Sequence, residues 1–288
     1  MLANLYMPTP ALRGVLFRTR RSLALAGATA LSCFAFDAGF AQVPSPCCAR
    51  VVPPPSAVQS RVAEVPFGPG ELARYQVKLG AFSVGDGVMQ VVGVEPIRGY
   101  PSYHVSWIIE GGIPLARVDD HYQSWFDVNT LATRRSIQQI REVRYRAHRR
   151  YEIYPEERRW ERLDDPESEE MITDLPLDDI SFIYYVRTLP LEVGETYTLD
   201  RYFRADRNPV ILQVLRKETI EVPAGTFNTI VVRPIIRSRG LFGEGGEAEV
   251  YFTDDERRTL VRLTSKVPVM GSLSLHLQEY QAGTPFGR

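Results

Sequence analysis

Cysteine is scarce in this 288-residue sequence, which contains only three. Cys33 lies in an N-terminal apolar run, and Cys47 and Cys48 lie together in a proline-rich stretch. Because no cysteine falls in the rest of the chain, disulfides between distant parts of the fold are excluded as a source of its stability. Catalysis by a thiol in that part of the chain is excluded for the same reason.

An excess of charge of either sign is also missing. The formal net charge is −1 at pH 7, and nearly all positive charge comes from arginine because lysine is rare. No global field therefore favours nucleic acid as a partner. The sequence also lacks a nucleotide-binding loop, a zinc-binding helix motif, a serine nucleophile elbow and a Cys/His metal pattern. We expect no cofactor, no metal and no nucleic-acid partner.

Residues 1–41 have the pattern of a cleaved export signal. Basic residues precede an apolar run from Leu23 to Phe36, which is shorter than the roughly 20 residues that a membrane-spanning helix needs. The small residues Gly39 and Ala41 predict that signal peptidase cleaves the bond between Ala41 and Gln42. The pair Arg20-Arg21 leaves a twin-arginine route open, and Cys33 leaves acylation open. We predict a periplasmic or exported protein whose mature chain has no transmembrane span.

The chain after this signal divides into three parts. Residues 42–69 are rich in proline, which favours an extended, stiff linker. Residues 70–281 carry the apolar patterns of a single β-rich domain, and residues 282–288 form a C-terminal tail. The adjacent Cys47 and Cys48 in the linker could cross-link two chains, form a strained vicinal disulfide, hold a soft metal or be incidental.

Alternation of apolar and polar residues dominates residues 70–281. Ala73, Tyr75 and Val77 alternate with polar neighbours, as half-buried strands require. About a dozen such segments are joined by tight turns such as Pro223-Ala224-Gly225, and short connections imply antiparallel pairing. A sheet of that size usually curls or closes. The sequence therefore predicts a mainly β fold, a large curved antiparallel meander or partial barrel with one packed helix.

The predicted helix is the one segment with helical periodicity. Asp178 is a suitable N-cap, Ile180, Ile183 and Tyr184 recur at helical spacing, and Pro190 ends the pattern. We expect the apolar side of this helix to pack on the sheet.

Glycines and acidic residues mark where the predicted strands are interrupted or end. Gly85 and Gly87, inside the second predicted strand, indicate a bulge or a close approach of two backbones. Gly111-Gly112 ends the third predicted strand. The acidic run Asp164–Glu170 predicts an exposed loop, and Thr196–Arg204 is predicted as a later strand.

Short motifs spread over residues 70–280 resemble those of a known family. They are Tyr75-Gln76-Val77, Trp125-Phe126-Asp127, Tyr184-Tyr185-Val186-Arg187, Gly194-Glu195-Thr196-Tyr197, Val222-Pro223-Ala224-Gly225-Thr226-Phe227, Phe252-Thr253-Asp254-Asp255 and Gly271-Ser272-Leu273. In this order they resemble a bacterial family of exported proteins catalogued as domain of unknown function 3108. The resemblance implies an envelope protein with a β-rich body, and it brings no established activity or catalytic residues.

The densest polar cluster in the predicted domain is Asp119-Asp120-His121. These residues could form the carboxylate–imidazole acid/base unit of an envelope hydrolase that acts on glycan or lipid. Asp119 and His121 alternate with Tyr122 and Ser124, however, and we favour simple exposure of the cluster on the solvent face of a strand. We therefore assign no catalytic residue to this pattern.

An aromatic set is the first candidate for ligand binding. Tyr75, Tyr103 and Trp107 lie on the predicted inward faces of early strands. Aromatic walls of this kind bury most of an apolar ligand in known binding sites. A hydrophobic ligand on a concave sheet surface is the corresponding prediction.

A basic set is the second candidate. Arg144, Arg146 and Arg150 share one face of a predicted strand, Tyr145–Tyr154. Forked guanidinium donors suit lipid phosphates or another anionic envelope polymer. The alternative is a solvated face that nearby glutamates neutralise.

Three functional hypotheses follow. The first, which we favour, is an envelope binding or carrier module without catalysis that takes a hydrophobic or anionic ligand. The second is an envelope hydrolase that uses the Asp119-Asp120-His121 cluster. The third is a structural surface protein cross-linked through Cys47 and Cys48. The sequence does not name a ligand.

Overall fold

The structure is a computed structural model that describes residues 65–113, 116–142, 145–236, 248–267 and 271–286. The predicted export signal, most of the predicted linker with Cys47 and Cys48, and Arg144 lie outside the described residues.

The described residues form one antiparallel sheet of 14 strands. The strands are β1 (Leu72–Leu79), β2 (Phe82–Ile97), β3 (Tyr100–Ile113), β4 (Ala116–Asp127), β5 (Thr133–Glu142), β6 (Tyr145–Tyr154), β7 (Arg159–Arg162), β8 (Glu167–Glu170), β9 (Thr196–Leu199), β10 (Val210–Val222), β11 (Gly225–Ile235), β12 (Glu249–Thr253), β13 (Leu260–Val267) and β14 (Gly271–Gln281). The described residues contain one α-helix, α1 (Asp179–Val186), which lies between β8 and β9 in the sequence.

The strand order is that of a long meander. It runs β8-β7-β6-β5-β4-β3-β2-β1-β14-β13-β12-β11-β10-β9, so β1 and β14 are the only neighbours that are not consecutive in this sheet of described residues. Short described turns join pairs such as β1 and β2, β2 and β3, and β10 and β11, as antiparallel pairing allows. The sheet stays open, with β8 and β9 at its edges. The predicted mainly β meander with one packed helix is confirmed.

The acidic run predicted as a loop contains a strand. Glu167–Glu170 form β8, which pairs with β7 and places Glu170 opposite Arg159 and Glu167 opposite Arg162. The Arg162 guanidinium lies 3.7 Å from the Glu167 carboxylate across this pair, and this opposite-charge contact offsets part of the repulsion within the acidic run. The loop prediction was wrong for these four residues because it considered only the charge along the sequence.

The strand predicted over Thr196–Arg204 is shorter in the structure. It ends at Leu199, and Tyr202 and Phe203 are both buried, each 2% exposed. Successive residues of a strand point to opposite faces. Two adjacent aromatic side chains that both enter the core therefore require the chain to leave the strand.

The helix begins as the sequence predicts. The Asp178 carboxylate accepts a hydrogen bond from the Ser181 backbone N–H, and the Ser181 hydroxyl accepts one from the Asp178 N–H. This reciprocal capping box satisfies donors that the first helical turn leaves open. Ile180, Ile183 and Tyr184 are buried. No helix among the described residues is long and apolar enough to cross a membrane.

Replacing Ile183 with alanine is expected to lower the free energy of unfolding by about 2–4 kcal/mol, because a fully packed isoleucine leaves a cavity. Ile183 is 3% exposed, whereas Ile172 is 53% exposed and provides a matched control. Ile172→Ala should cost less than about 0.5 kcal/mol in the monomer. Urea melts of both variants test this prediction, and equal losses would mean that α1 is peripheral to the core.

Candidate functional site

The aromatic candidates lie in the hydrophobic core, on the face of the sheet that packs against α1, which we call the inner face. Tyr75 and Tyr103 are each 1% exposed, and Trp107 is 6% exposed. The Tyr75 hydroxyl donates a hydrogen bond to the Leu260 carbonyl over 3.0 Å, and the Tyr103 ring packs edge-on against Phe67. Their positions are those of core residues, although Tyr75 also lines a very small cavity of about 10 Å³.

A small apolar pocket lies where several central strands of the sheet terminate. Its volume is about 40 Å³, and it is partly open to solvent. It is lined by Val77, Val84, Ile109, Glu110, Gly111, Gly112, Val118, Leu273 and Leu275. These residues come from the ends of β1, β2, β3, β4 and β14, where antiparallel connectivity brings several hairpins together.

Two glycines allow β2 and β3 to approach closely in the wall of this pocket. Gly85 pairs with Gly111, and a Cβ on Gly85 would lie 2.2 Å from the Glu110 carbonyl oxygen. A Cβ on Gly111 would lie 2.3 Å from the Val84 carbonyl oxygen. The close backbone approach that the glycine pattern indicates is confirmed at Gly85. Any larger residue at either position would push the two strands apart and reshape the wall.

The structure does not bring the Asp119-Asp120-His121 cluster together. Asp120 is fully buried on the inner face, where burial raises the pKa of its carboxyl group. Asp119 and His121 point to the opposite, outer face, as strand alternation requires. There Asp119 pairs with the Arg141 guanidinium over 3.2 Å.

His121 has a different partner. Its Nε2 lies 2.9 Å from the Ser106 hydroxyl oxygen on β3. Burial, with a smaller electrostatic contribution from the neighbouring His104 side chain, lowers the pKa of His121 and so favours its neutral imidazole. A serine hydroxyl beside a neutral imidazole is a nucleophile–base pair in many hydrolases.

His104 belongs to a separate outer-face contact set. Its Nδ1 lies 3.0 Å from Glu95, its Nε2 lies 2.9 Å from Gln123, and its ring stacks on Trp125 at 4.2 Å. Within the described ranges no group of three or more His, Cys, Asp or Glu residues is placed to hold a metal ion.

The basic set forms a row on the outer face of β6. Arg146, His148 and Arg150 are exposed, and Arg141 lies directly opposite Arg146 on β5. Neither Arg146 nor Arg150 has an ion pair with any residue that the structure describes. Most other arginines are paired, as Arg135 is with Glu152 over 2.6 Å. Asp164 of the acidic run is nevertheless close to the row, because its carboxylate accepts a hydrogen bond from the Arg150 backbone N–H over 2.7 Å.

Sequence reasoning missed Ser106, Val84 and Val118 as candidate site residues. Ser106 meets His121 because β3 and β4 pair in a register that places Ile108 opposite His121. A strand's register depends on its neighbours, so the sequence gives no local signal of this contact. Val84 and Val118 follow ordinary strand alternation, which does not distinguish a pocket wall from a packed core.

Comparison with known proteins places the chain in a family. Residues 74–278 match the family described as "Protein of unknown function (DUF3108)", and the chain belongs to it. No curated protein matches the sequence. This confirms the family resemblance that the sequence motifs indicate.

Two solved structures are similar to the chain. One is a candidate lipoprotein from Parabacteroides distasonis, with 10% sequence identity, a TM-score of 0.34, and coverage of 76% of this chain and 99% of that chain. The other is a candidate exported protein with a YmcC-like fold from Bacteroides fragilis, with 10% identity, a TM-score of 0.33, and coverage of 77% and 99%.

Proposed function

We propose that the protein is an exported binding or carrier module of the bacterial envelope, and that its pocket takes the alkyl end of a hydrophobic envelope ligand. The apolar pocket at the ends of β1, β2, β3, β4 and β14 is the observation that carries this proposal. Its side-chain walls are formed by valine, isoleucine and leucine apart from Glu110. A pocket without convergent polar groups suits binding of a hydrocarbon group better than a reaction on it.

The size of the pocket limits what it binds. Sites that enclose a drug-sized ligand have volumes of roughly 300–1,000 Å³. A pocket of about 40 Å³ accommodates only the end of an alkyl chain, with the rest of the ligand outside. The proposed ligand is therefore an amphiphile or lipid that is held by its tip.

Filling the pocket is expected to weaken binding of a fluorescent fatty acid. Val84 is half-buried in the pocket wall on β2, whereas Val92, on the same strand, is 46% exposed. Val84→Trp should displace about two methylene groups, at about 0.8 kcal/mol each, and raise Kd about tenfold. Val92→Trp is the matched control and should leave Kd unchanged. Fluorescence titration of the folded variants measures both, and equal affinities would remove the pocket from the proposal.

A hydrolase is the second candidate, and the contact between Ser106 and His121 favours it. In this scheme Ser106 Oγ would attack an ester carbonyl while its proton moves to His121 Nε2, and the proton would then pass to the leaving alkoxide. Asp120 has no part in this scheme because it lies on the inner face.

A second serine–histidine pair makes this candidate testable. The Ser274 hydroxyl also lies 2.9 Å from an imidazole nitrogen, Nε2 of His276, whose pKa burial lowers to about 4. His276 is thus too weak a base to activate its serine near neutral pH. A fluorophosphonate probe that labels Ser106 but not Ser274 would support the hydrolase. The binding proposal predicts that neither serine is labelled.

A further inference from the structure

Over its first half, β6 pairs with β5 on one side, and no described strand pairs with its other side. The Arg150 carbonyl accepts a hydrogen bond from the Leu163 N–H, and the Arg150 N–H donates to the Asp164 carboxylate, so both backbone groups of Arg150 face the β7 side. Backbone groups repeat their direction every second residue, so those of His148 and Arg146 face the same side. The register of β7 with β6 begins at Tyr151, and no described strand covers this half of the edge.

The sheet ends in a step at this edge. Beside the second half of β6 the sheet continues through β7 and β8, which places its border two strands, or roughly 10 Å, farther out. The border strand, β8, is acidic, and Glu169 and Glu170 have no ion pair within the described chain. The recess in the step is therefore basic, and the projecting part is acidic.

The recess beside the first half of β6 and the projecting strand β8 match in length and direction. The part of the β6 edge that no described strand covers includes residues 145–148, and β8 spans the four residues Glu167–Glu170. Both strands run the same way, since β7 separates them by two antiparallel pairings. A second copy rotated by 180° about an axis perpendicular to the sheet would bring its β8 into the recess, antiparallel to β6. The same rotation brings β8 of the first copy into the recess of the second.

We propose that the protein forms a two-fold dimer in which β8 of each copy adds as a strand to the free half of β6 of the other copy. Unpaired backbone groups at both edges gain hydrogen-bond partners, and the basic row meets an acidic strand. Leu163 and Ile172, which flank β7 and β8, are 50% and 53% exposed, and the dimer gives these apolar side chains a neighbour. The symmetry closes the assembly at two copies.

The dimer predicts a mass and a salt dependence. Sedimentation equilibrium of the purified protein, as processed by its host, should give twice the monomer mass at low salt. Raising the ionic strength should weaken association, because the charge pairs are close to the surface. Arg257→Glu, at an exposed position in the turn between β12 and β13, is the control and should remain dimeric.

Charge reversal makes the test specific. Arg146→Glu with His148→Glu makes the recess acidic, and Glu169→Arg with Glu170→Arg makes the projection basic. Each double variant alone should dimerise at least about tenfold more weakly, because like charges face each other at both contacts. An equimolar mixture of the two should form a heterodimer, because both of its contacts then join opposite charges. Circular dichroism of each variant confirms that it is folded.

Three results would overturn the proposal. The first is a monomeric protein at low salt. The second is open-ended association, which would contradict the two-fold closure. The third is a mixture of the charge variants that stays monomeric. Binding of the monomer to anionic phosphatidylglycerol vesicles, lost in Arg146→Glu with His148→Glu, would instead assign the basic row to an anionic ligand.

Discussion

Replacing Arg187 with methionine is expected to lower the free energy of unfolding by about 3–5 kcal/mol, because it leaves a buried carboxylate without its partner. Arg187 Nη1 and Nη2 bind the two oxygens of Glu71 at 2.6 and 2.9 Å. The two side chains are only 4% and 5% exposed. Burial alone would lower the pKa of Arg187, but the charge and hydrogen bonds of Glu71 raise it above the ordinary value.

This pair joins three distant parts of the chain. Glu71 precedes β1, Arg187 follows α1, and the Arg187 guanidinium also donates to the carbonyl of Arg257 over 3.1 Å. Arg74–Glu279 is the matched control, since its partners are 51% and 65% exposed. Arg74→Met should cost less than about 1 kcal/mol. Denaturant melts compare the two variants, and similar losses would show that the buried pair does not hold these segments together.

A double variant separates the cost of an unpaired charge from the value of the pair. Glu71→Leu combined with Arg187→Met removes both charges, so it should be more stable than Arg187→Met alone. A double variant that is as unstable as the sum of the two single variants would mean that the ion pair contributes nothing beyond its separate side chains.

Replacing Trp160 with alanine is the second large expected effect, a loss of about 3–5 kcal/mol. Trp160 on β7 is fully buried. Its ring lies 5.5 Å from the ring of Tyr151 and 5.7 Å from the ring of Phe203. Phe203 comes from the segment between β9 and β10, at the other end of the sheet. The contact therefore joins the two ends of an open sheet that no backbone ladder closes in the described residues.

The neighbouring Leu163 is the control for this prediction, since it is 50% exposed. Leu163→Ala should change stability by less than about 0.5 kcal/mol in the monomer. Thermal and urea unfolding of Trp160→Ala should also lose the near-ultraviolet signal of the aromatic cluster. A Trp160→Ala protein as stable as the parent would mean that this contact does not help to hold the two edges of the sheet together.

Local patterns were enough to predict most of the fold. Alternation identified strands such as β1, where Tyr75 and Val77 are buried and Arg74 is exposed. The N-cap at Asp178 was predictable because its contact to Ser181 spans only three residues. Short turns then implied the antiparallel meander. These features depend on residues close together in the sequence, which is why they could be predicted without knowledge of packing.

Features that depend on distant contacts could not be predicted in this way. Tyr103 was placed on the correct face, but the pattern does not reveal that Phe67, from the segment predicted as linker, and Tyr184 of α1 cover that face. An inward face that looks like an open concave surface in the sequence is thus a filled core. The free edge of β6 also escapes sequence analysis, because it exists only where β7 stops.

The proposal of a hydrophobic ligand is tested most directly by native mass spectrometry of protein purified from its host without detergent. We expect a bound species whose mass, after organic extraction, identifies a compound with an alkyl chain. Val84→Trp should lose this species, while Val92→Trp should retain it. A parent protein that carries no such compound, and binds none when envelope lipid extract is added, would contradict the account.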